Sequence, residues 1–352
     1  MGIFVNARFL TQPVSGVQRY GIECSRQIKK LHHDITFISP GNILHKEIAN
    51  ELDVKVVGNN TGHIWEQLDL PVFMAKQNGA PLLSLANTAP LFCKNNFITI
   101  HDLAFYHHPE WNSKKFSAWY NFLVPRLARG SRHIFTVSQT IKKEIEDCYK
   151  IASENVSVTY NGISQKMLES AGDKKPVKEK IIFSVGSFNV RKNHQKLLTA
   201  FIESGLGDTY QLVITGDRNK VFKEANLNEE ILKNSNVKIY SSLPEDELIS
   251  MYQKAEIVVS TSLYEGFGIP LLEGLFNGCK IICSDIPVYR ELYDGHARFC
   301  DPLNITSIVS ALNSSINENF SKQNSGLDLL FREYNYRRSA QIILEKLTRK
   351  NA

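Results

Sequence analysis

Residues 257–273 read IVVSTSLYEGFGIPLLE, an apolar run followed by a glycine turn and a second apolar run. Its first three residues, Ile257–Val259, are β-branched and apolar, which predicts a buried strand. The apolar residues that follow the glycines recur at helical spacing, and Gly278 is expected to end that helix. Glu265 should therefore lie on a strand-to-helix loop, with Glu273 about two turns into the helix.

The turn between this strand and helix contains Gly266 and Gly268. Glycine lets backbone N–H groups at a helix start approach a ligand closely, and a helix start favours anions. Two carboxylates, Glu265 and Glu273, flank the turn. An anion-binding turn between two carboxylates suits a ligand that carries both phosphates and many hydroxyls, such as a sugar nucleotide.

The composition is that of an ordinary soluble globular protein. The 352 residues, 43% of them hydrophobic and 22% charged, are enough for two domains. No run of about eighteen apolar residues is present, and residues 1–8 read as a first strand rather than a signal peptide. The six cysteines are scattered, as expected of reduced side chains in a cytoplasmic protein. The net charge of +5 is mild, and we expect no nucleic-acid partner.

Strand-like runs alternate with helix-like segments along the whole chain. This alternation is typical of doubly wound parallel α/β sheets. Because the series restarts near residue 180, we expect two Rossmann-like domains facing each other across a cleft. They should span residues 1–168 and 181–335, with a polar linker at 169–180 and a closing helix at 336–352. The predicted strands are Ile35–Ile38, Pro81–Leu85, Phe97–Ile100, His133–Val137, Ile181–Val185, Tyr210–Ile214, Val237–Tyr240, Ile257–Val259 and Lys280–Cys283.

Two features of these halves bear on ligands. Neither half carries Gly-x-Gly-x-x-Gly after its first strand, which argues against a dinucleotide cofactor. The closing helix has apolar residues at helical spacing opposite a charged face, so it is expected to pack on the body of the protein. Attachment of this helix to a membrane surface is the alternative.

Two adjacent cations, Arg191 and Lys192, stand just before a helix that begins near Gln195. Cations at a helix start oppose the helix macrodipole, so local helix energetics do not favour them there. They make sense if they share a bound anion with the helix start, and a diphosphate would supply it. The alternative is a solvated loop.

His101 and Asp102 follow directly on a predicted strand, at the sheet edge where ligands bind in this architecture. His101 could donate a hydrogen bond to a sugar hydroxyl or a phosphate. Asp102 could orient His101 or receive a proton. The alternative for this pair is a structural capping role.

The remaining candidates lie near the N-terminus and around a histidine pair. Gly16 lets the backbone turn close to a ligand, whereas Arg19 either faces the cleft or lies on the surface. His107 and His108 have no partners at metal-ligand spacing. Because no Asp-x-Asp motif ends a strand either, we expect no metal site, with basic residues doing the work of a divalent cation.

Taken together, these motifs resemble the family-4 retaining glycosyltransferases of the GT-B fold, over most of the chain. Glu265 through Glu273 resembles that family's Glu-x-seven-Glu signature, and Gly186 through Asn193 its Gly-x-x-x-x-Arg-Lys-Asn segment. Thr99 through Asp102 is similar to its Thr-x-His-Asp motif, and Ser15 through Tyr20 to its Gly-Val-x-Arg-Tyr loop. His63 through Gln67 resembles a stretch of members that build bacterial surface polysaccharides.

The resemblance implies a role for each matching residue. Glu265 would contact hydroxyls of the donor sugar, and Glu273 would bind the ribose. His101 would touch the donor sugar near its reacting carbon, and His101, Asp102 and Glu265 are the expected catalytic residues. Ser187 stands where many relatives have arginine. The implied diphosphate-binding residues are Arg191, Lys192, Gly268 and Ile269, and the implied acceptor-side residues are Gly16, Val17 and Arg19.

The resemblance also implies an activity. We expect transfer of a hexose, with mannose from GDP-mannose as the best guess, to a glycan or lipid-linked acceptor with retention of configuration. No cofactor or metal would be needed, and the protein would be cytoplasmic, with peripheral attachment to the inner membrane left open. A rhamnose, glucose or N-acetylglucosamine donor is an alternative. A GT-B epimerase or hydrolase of sugar nucleotides is another, and a non-catalytic sugar-binding protein is a third.

Overall fold

The computed structural model describes residues 2–172, 177–187, 189–215, 236–317 and 326–349. The chain forms two compact units, one of residues 1–164 with 332–352 and the other of residues 165–331. Each unit contains one parallel sheet with helices in the crossovers. The predicted α/β class with two doubly wound domains is thereby confirmed. Of the predicted linker at 169–180, residues 173–176 lie outside the described residues.

The first unit is built on a seven-stranded sheet in the order β3-β2-β1-β4-β5-β6-β7. The strand order reverses between β1 and β4, which are neighbours in parallel register. The strands are β1 (Ile3–Asn6), β2 (Ile35–Ser39), β3 (Lys55–Val56), β4 (Leu82–Ser84), β5 (Asn96–Ile100), β6 (His133–Thr136) and β7 (Val156–Val158).

Helices of the first unit connect these strands. One of them passes from α-helical to π-helical geometry at Trp65–Asp69 and back again. Trp65 is fully buried there, and its indole N–H donates to the carbonyl of Val57 at 2.6 Å. The α-helices are α1 (Gly16–Leu31), α2 (Lys46–Glu51), α3 (Gly62–Ile64), α4 (Leu70–Ala75), α5 (Ala104–His107), α6 (Lys114–Gly130) and α7 (Gln139–Tyr149).

The second unit is built on a six-stranded sheet in the order β10-β9-β8-β11-β12-β13, and its order reverses between β8 and β11. Apolar residues such as Ile182, Ile257 and Ile282 form its core against two flanking helices. The strands are β8 (Glu179–Ser184), β9 (Gln211–Thr215), β10 (Val237–Tyr240), β11 (Ala255–Ser260), β12 (Lys280–Ser284) and β13 (Arg298–Cys300). The helices are α8 (Gln165–Glu169), α9 (His194–Glu203), α10 (Glu245–Lys254), α11 (Ile269–Phe276), α12 (Pro287–Tyr293) and α13 (Ile305–Asn317).

The last two helices are α14 (Leu327–Glu333) and α15 (Tyr336–Thr348), and α15 packs on α1 of the first unit. The hydroxyl of Ser339 donates to the carbonyl of Tyr160 at 2.6 Å. Ala340 and Ile343, on the apolar face of α15, are buried in this contact. The closing helix thus returns to the first unit, and its apolar face is covered by protein.

All nine predicted strand runs, and the first strand predicted in residues 1–8, are strands in the structure. The three strands that the apolar pattern does not predict, β3, β7 and β13, are two or three residues long and each lies at a sheet edge. Runs of two or three residues are too short for an apolar pattern to identify as strands. Glu273 is the fifth residue of α11, so it lies little more than one turn into the helix rather than two.

Candidate active site

The loops that follow β8 and β11 are joined to each other in the second unit. The N–H of Leu263 donates to the carbonyl of Arg191 at 2.8 Å. The amide of Asn193, which has φ of 54°, donates to the carbonyls of Thr261 at 3.1 Å and Pro302 at 2.8 Å. Because β8 and β11 flank the reversal of strand order, these loops lie at the position where open α/β sheets bind ligands.

Arg191, Lys192 and Glu265 form an ion cluster at this position. Arg191 Nη1 lies 2.9 Å from Glu265 Oε2, and Lys192 Nζ lies 2.5 Å from Glu265 Oε1. Arg191 and Lys192 belong to a 3-10 turn at Val190–Lys192, so they precede α9 as the sequence predicts. The cluster carries two positive charges and one negative charge, and it is therefore net cationic.

The carboxylate of Glu265 is ionised despite its burial, since only 7% of the residue is exposed. Burial alone would raise its pKa, but the guanidinium of Arg191 and the ammonium of Lys192 outweigh burial and hold the pKa at about 2. Such a carboxylate accepts hydrogen bonds at neutral pH and does not act as a proton donor.

The start of α11 is fixed by a glycine and two tyrosines. Gly268 precedes the helix with φ of 92°, in the left-handed region, and a Cβ there would lie 2.5 Å from Cε1 of Tyr289. Tyr293 Oη donates to the carbonyl of Gly268 at 2.8 Å. Pro270, the second residue of α11, has no N–H that could bind a ligand. The N–H groups at the helix start are therefore those of its neighbours, which include Gly268 and Ile269. A helix start of this kind can bind an anion.

Glu273 lies on the same helix as this anion-binding start, and 3% of the residue is exposed. Within the loop after β8, the side chain of Lys192 folds back over Gly186 and passes within 3.1 Å of where a Cβ on Gly186 would be. Larger side chains at Gly186 would therefore displace Lys192. The assignment of Glu273 to a ribose and of Gly268 and Ile269 to a diphosphate stays a prediction.

His101 and Asp102 lie at the end of β5 in the first unit. His101 Nε2 donates to the carbonyl of Leu85 at 2.9 Å, and burial lowers the pKa of His101 below 6.5, so the ring is neutral at pH 7. Its other nitrogen, Nδ1, is then an acceptor, whereas the sequence pattern predicts a donor. Asp102 Oδ1 accepts from the N–H of Ala104 at 3.1 Å, which is the capping contact left open as the alternative.

Gly16, Val17 and Arg19 lie in the first turn of α1. Ser15 and Gln18 form a capping box at this helix start. The presence of Ser15 and Gln18 at these positions therefore needs no ligand to explain it. Gly16 is exposed, and Val17 and Arg19 are half-buried. Their assignment to an acceptor stays a prediction.

A buried polar cluster in the first unit lies at the reversal of strand order and was not predicted from the sequence. Arg8, just after β1, has its Nε 3.1 Å from Glu66 Oε1, and its Nη2 donates to the hydroxyl of Thr88 at 2.7 Å. The amide of Asn6 donates to the same Glu66 oxygen at 3.0 Å. His63 Nδ1 lies 3.2 Å from the other oxygen of Glu66. The sequence feature that could have predicted this cluster is Arg8, a charged residue two positions after the first strand.

Burial alone would raise the pKa of Glu66, but Arg8, His63 and Thr88 outweigh it and hold the pKa at about 2. Across the described ranges, no group of three or more His, Cys, Asp or Glu side chains is arranged to hold a metal ion. Within the same ranges, no helix is both long and apolar enough to cross a membrane.

Comparison with known proteins connects both units to one class of enzyme. The family model for Glycosyltransferase Family 4 matches residues 14–166, and the model for glycosyl transferases group 1 matches residues 166–327. The O-antigen chain mannosyltransferase RfbU of Salmonella typhimurium is 29% identical over 248 residues, covering 70% of this chain and 67% of that protein. The O-antigen chain mannosyltransferase B of Escherichia coli is 23% identical, covering 62% of this chain and 61% of that protein.

The fold is also that of solved glycosyltransferase-like structures. Anabaena Alr3699/HepE, in complex with UDP and glucose, superposes with a TM-score of 0.74 at 14% identity, over 99% of this chain and 100% of that chain. The two family models follow one another along the chain and together span residues 14–327. The chain therefore belongs to the family-4 glycosyltransferases, which are transferases of the GT-B fold.

Proposed function

We propose that this protein transfers a hexose from a nucleotide sugar to a glycan or lipid-linked acceptor during synthesis of a bacterial surface polysaccharide of the O-antigen type. The observation that carries the proposal is the cluster of Arg191, Lys192 and Glu265 beside the start of α11. Mannose is the preferred sugar, because two relatives are named as O-antigen mannosyltransferases. A GDP-linked donor is our choice for that sugar, and the UDP held by the Anabaena structure, at 14% identity, bears on the fold alone.

The charge of the cluster supports a diphosphate leaving group. When the bond between C1 of the sugar and the phosphate oxygen breaks, negative charge grows on the diphosphate. Arg191, Lys192 and the N–H groups of Gly268 and Ile269 would stabilise that charge, and each such fixed donor typically contributes about 3–4 kcal/mol to the transition state. No metal is required in this scheme, because the two cations take its place.

Glu265 would orient the donor sugar by accepting hydrogen bonds from its hydroxyls. Its low pKa, with both oxygens bound to cations, makes it a weak nucleophile and a poor proton donor. This supports a retaining reaction in which the acceptor hydroxyl attacks C1 on the face that the diphosphate leaves. The new bond joins C1 to the acceptor oxygen, and the leaving diphosphate takes the hydroxyl proton.

The remaining roles follow the family resemblance. Glu273 would bind the ribose of the donor. His101, neutral and with Nδ1 as an acceptor, would contact a hydroxyl of the donor sugar, and Asp102 would fix the loop after β5. Gly16, Val17 and Arg19 would lie on the acceptor side.

A cytoplasmic location with peripheral membrane attachment is part of the same proposal. Helix α6 supports the attachment, since Phe116 and Phe122 are 39% and 45% exposed and Arg126 lies 3.8 Å over the Phe122 ring. Exposed aromatic and basic side chains on one helix suit an anionic lipid surface. Sedimentation with phosphatidylglycerol vesicles, but not with phosphatidylcholine vesicles, is the expected result, and Phe122→Ser should weaken it.

A thermal-shift panel of nucleotide sugars tests the donor assignment. GDP-mannose should raise the unfolding temperature of the wild type, because a ligand that binds only the folded state stabilises it. Lys192→Ala should lose most of this shift. Lys196→Ala is the matched control, since Lys196 is a half-buried lysine on α9 whose Nζ donates to the carbonyl of Leu303. Equal shifts for the two variants would contradict the proposal.

Product analysis separates transfer from the alternatives. A sugar released or epimerised without an acceptor would indicate a hydrolase or an epimerase. A product that forms only with an acceptor supports transfer, and NMR of its anomeric centre decides between retention and inversion. An inverted product would contradict the proposed reaction.

A further inference from the structure

His63 of the first unit is partly exposed and lies between a buried carboxylate and two aromatic side chains. His63 lies on α3 with 37% of its side chain exposed, and its Nδ1 is 3.2 Å from Oε2 of Glu66. Glu66 is ionised and therefore accepts, so Nδ1 carries the proton of the bond. In the neutral ring, Nε2 then presents a lone pair, and no residue within the described ranges bonds to it.

Glu66 has buried hydrogen-bonding partners besides His63. Its Oε1 accepts from both Arg8 and Asn6, at 3.1 Å and 3.0 Å, and these partners are buried with it. Oε2 is left to a half-exposed imidazole. An ionised carboxylate behind an accessible imidazole fixes the ring and strengthens Nε2 as an acceptor.

Two aromatic side chains of α6 flank the same imidazole. The ring of Trp119 lies 5.8 Å from that of His63 at 65°, and the ring of Tyr120 lies 6.1 Å away at 88°. The indole N–H of Trp119 is shielded from solvent and has no acceptor among the described residues. Buried donors without an acceptor are rare in folded proteins. Aromatic faces beside a hydrogen-bonding group suit a ring with apolar C–H faces and polar edges.

The charge of this region argues against a phosphate. Arg8 is neutralised by Glu66 at 3.1 Å, and the negative charge of Asp102 acts on Tyr120. Burial raises the pKa of Tyr120. The charge of Arg8 opposes this rise, whereas the charges of Glu66 and Asp102 add to it, so all three charged groups act on the Tyr120 hydroxyl. The region is therefore neutral to negative, in contrast to the cationic cluster of Arg191, Lys192 and Glu265.

We propose that His63, Trp119 and Tyr120 form a subsite for a neutral pyranose ring of the acceptor glycan. His63 Nε2 accepts a hydrogen bond from one sugar hydroxyl, and the aromatic side chains contact the ring. The π-helical turn that begins at Trp65 holds Glu66 behind the imidazole, and such turns are frequent at functional sites. This inference rests on the proposed function, because it identifies the ligand as the acceptor of that reaction.

Saturation-transfer NMR with simple glycosides tests the subsite without any nucleotide. The probes are methyl α-D-mannopyranoside, methyl α-D-glucopyranoside and methyl α-L-rhamnopyranoside. The wild type should bind at least one of them, and His63→Ala should bind about tenfold more weakly, as expected for the loss of one hydrogen bond to a positioned ring. His63→Gln, whose amide can both donate to Glu66 and accept from a sugar, should recover part of the affinity.

His108→Ala is the matched control. His108 is 38% exposed, has Nδ1 3.1 Å from Glu110 Oε1 and stacks on Trp111, but Glu110 is exposed and is not held by a buried arginine. This variant should bind the glycoside as the wild type does. Equal affinity in His63→Ala and the wild type would overturn the proposal, and so would a wild type that binds none of the three glycosides.

The same variants separate this inference from the proposed function. Lys192→Ala should keep glycoside binding while losing the thermal shift from GDP-mannose. If no nucleotide sugar binds the wild type but a glycoside binds through His63, the donor assignment fails and the subsite stands. If GDP-mannose binds through Lys192 and glycoside affinity is the same in His63→Ala and the wild type, the donor assignment stands and the subsite fails.

Discussion

Lys192 Nζ lies 2.5 Å from Glu265 Oε1, and this contact joins the loop after β8 to the loop after β11. The two side chains are 13% and 7% exposed, so the pair is largely screened from water. Arg191 binds the second oxygen of the same carboxylate at 2.9 Å. A diphosphate that takes these cations must therefore share them with Glu265.

Replacing Glu265 with glutamine should separate stability from nucleotide binding. The change leaves Arg191 and Lys192 without their counter-charge, and removing one partner of a buried ion pair typically costs about 3 kcal/mol or more. GDP should nevertheless raise the unfolding temperature of Glu265→Gln at least as much as that of the wild type, because both cations become available to its phosphates. Thermal unfolding with and without GDP measures both effects.

Glu256→Gln controls for general destabilisation. Glu256 lies 2.9 Å from Lys280 in the same unit, and its side chain is 23% exposed, so it forms a half-buried ion pair away from the cluster. It should lower the unfolding temperature without enlarging the shift from GDP. Loss of the GDP shift in Glu265→Gln would show that Glu265 organises the cations rather than competing for them.

The low pKa values of Glu66 and Glu265 predict acid sensitivity in both units. Each carboxyl has a pKa of about 2 in the folded protein and an ordinary value of 4.5. A group with a depressed folded pKa stabilises the fold above its ordinary value, and this stability is lost as the pH falls from about 4.5 toward 2. The free energy of unfolding should therefore be level above pH 5 and decrease steeply below pH 4.

Tryptophan fluorescence isolates the first unit in this measurement, because all three tryptophans, Trp65, Trp111 and Trp119, belong to it. Glu66→Gln should flatten the acid limb seen by fluorescence. Glu265→Gln should leave the acid-induced loss of stability seen by fluorescence unchanged. It should reduce the acid-induced loss of stability seen by circular dichroism of the whole chain. An unchanged fluorescence limb in Glu66→Gln would contradict the assigned pKa of Glu66.

The apolar runs and the glycine turn were sufficient to predict the strands and the strand-to-helix loop, since these depend on residues close in sequence. The partners of the charged residues were not predictable in the same way. Lys192 and Glu265 are 73 residues apart and meet only because β8 and β11 are neighbours. Arg8 and Glu66 are 58 residues apart and meet because a helical segment folds back on the end of β1. His101 donates to the carbonyl of Leu85, which directly follows the neighbouring strand β4.

The ion pair of Arg8 and Glu66 should be replaceable by apolar residues, at least for stability. Arg8→Met alone leaves a buried carboxylate and should cost about 3–5 kcal/mol of the unfolding free energy of the first unit. The double variant Arg8→Met/Glu66→Leu should recover most of this loss, because it removes both charges together. Urea unfolding followed by tryptophan fluorescence measures the cycle.

The same double variant should still lose transfer activity if His63 works through Glu66. His63 then has no carboxylate behind it, while the fold is restored. Full activity in the double variant would show that the cluster serves folding alone.

Gly268 is required at the start of α11 for two separable reasons. Its φ of 92° disfavours any side chain, and a Cβ would also lie 2.5 Å from Cε1 of Tyr289. Gly278, at the end of the same helix, has φ of 74° and no atom within 4 Å of an added Cβ. Gly278→Ala therefore measures the backbone cost alone, about 1–2 kcal/mol.

Gly268→Ala should cost more than Gly278→Ala, because Tyr289 must move although its hydroxyl bonds to Ser260 at 2.9 Å. It should also abolish the thermal shift from GDP, since the displaced backbone carries the N–H groups that would bind the diphosphate. Gly278→Ala should keep that shift. If both variants retained it, the start of α11 would not bind the phosphates, and Arg191 and Lys192 would hold them alone.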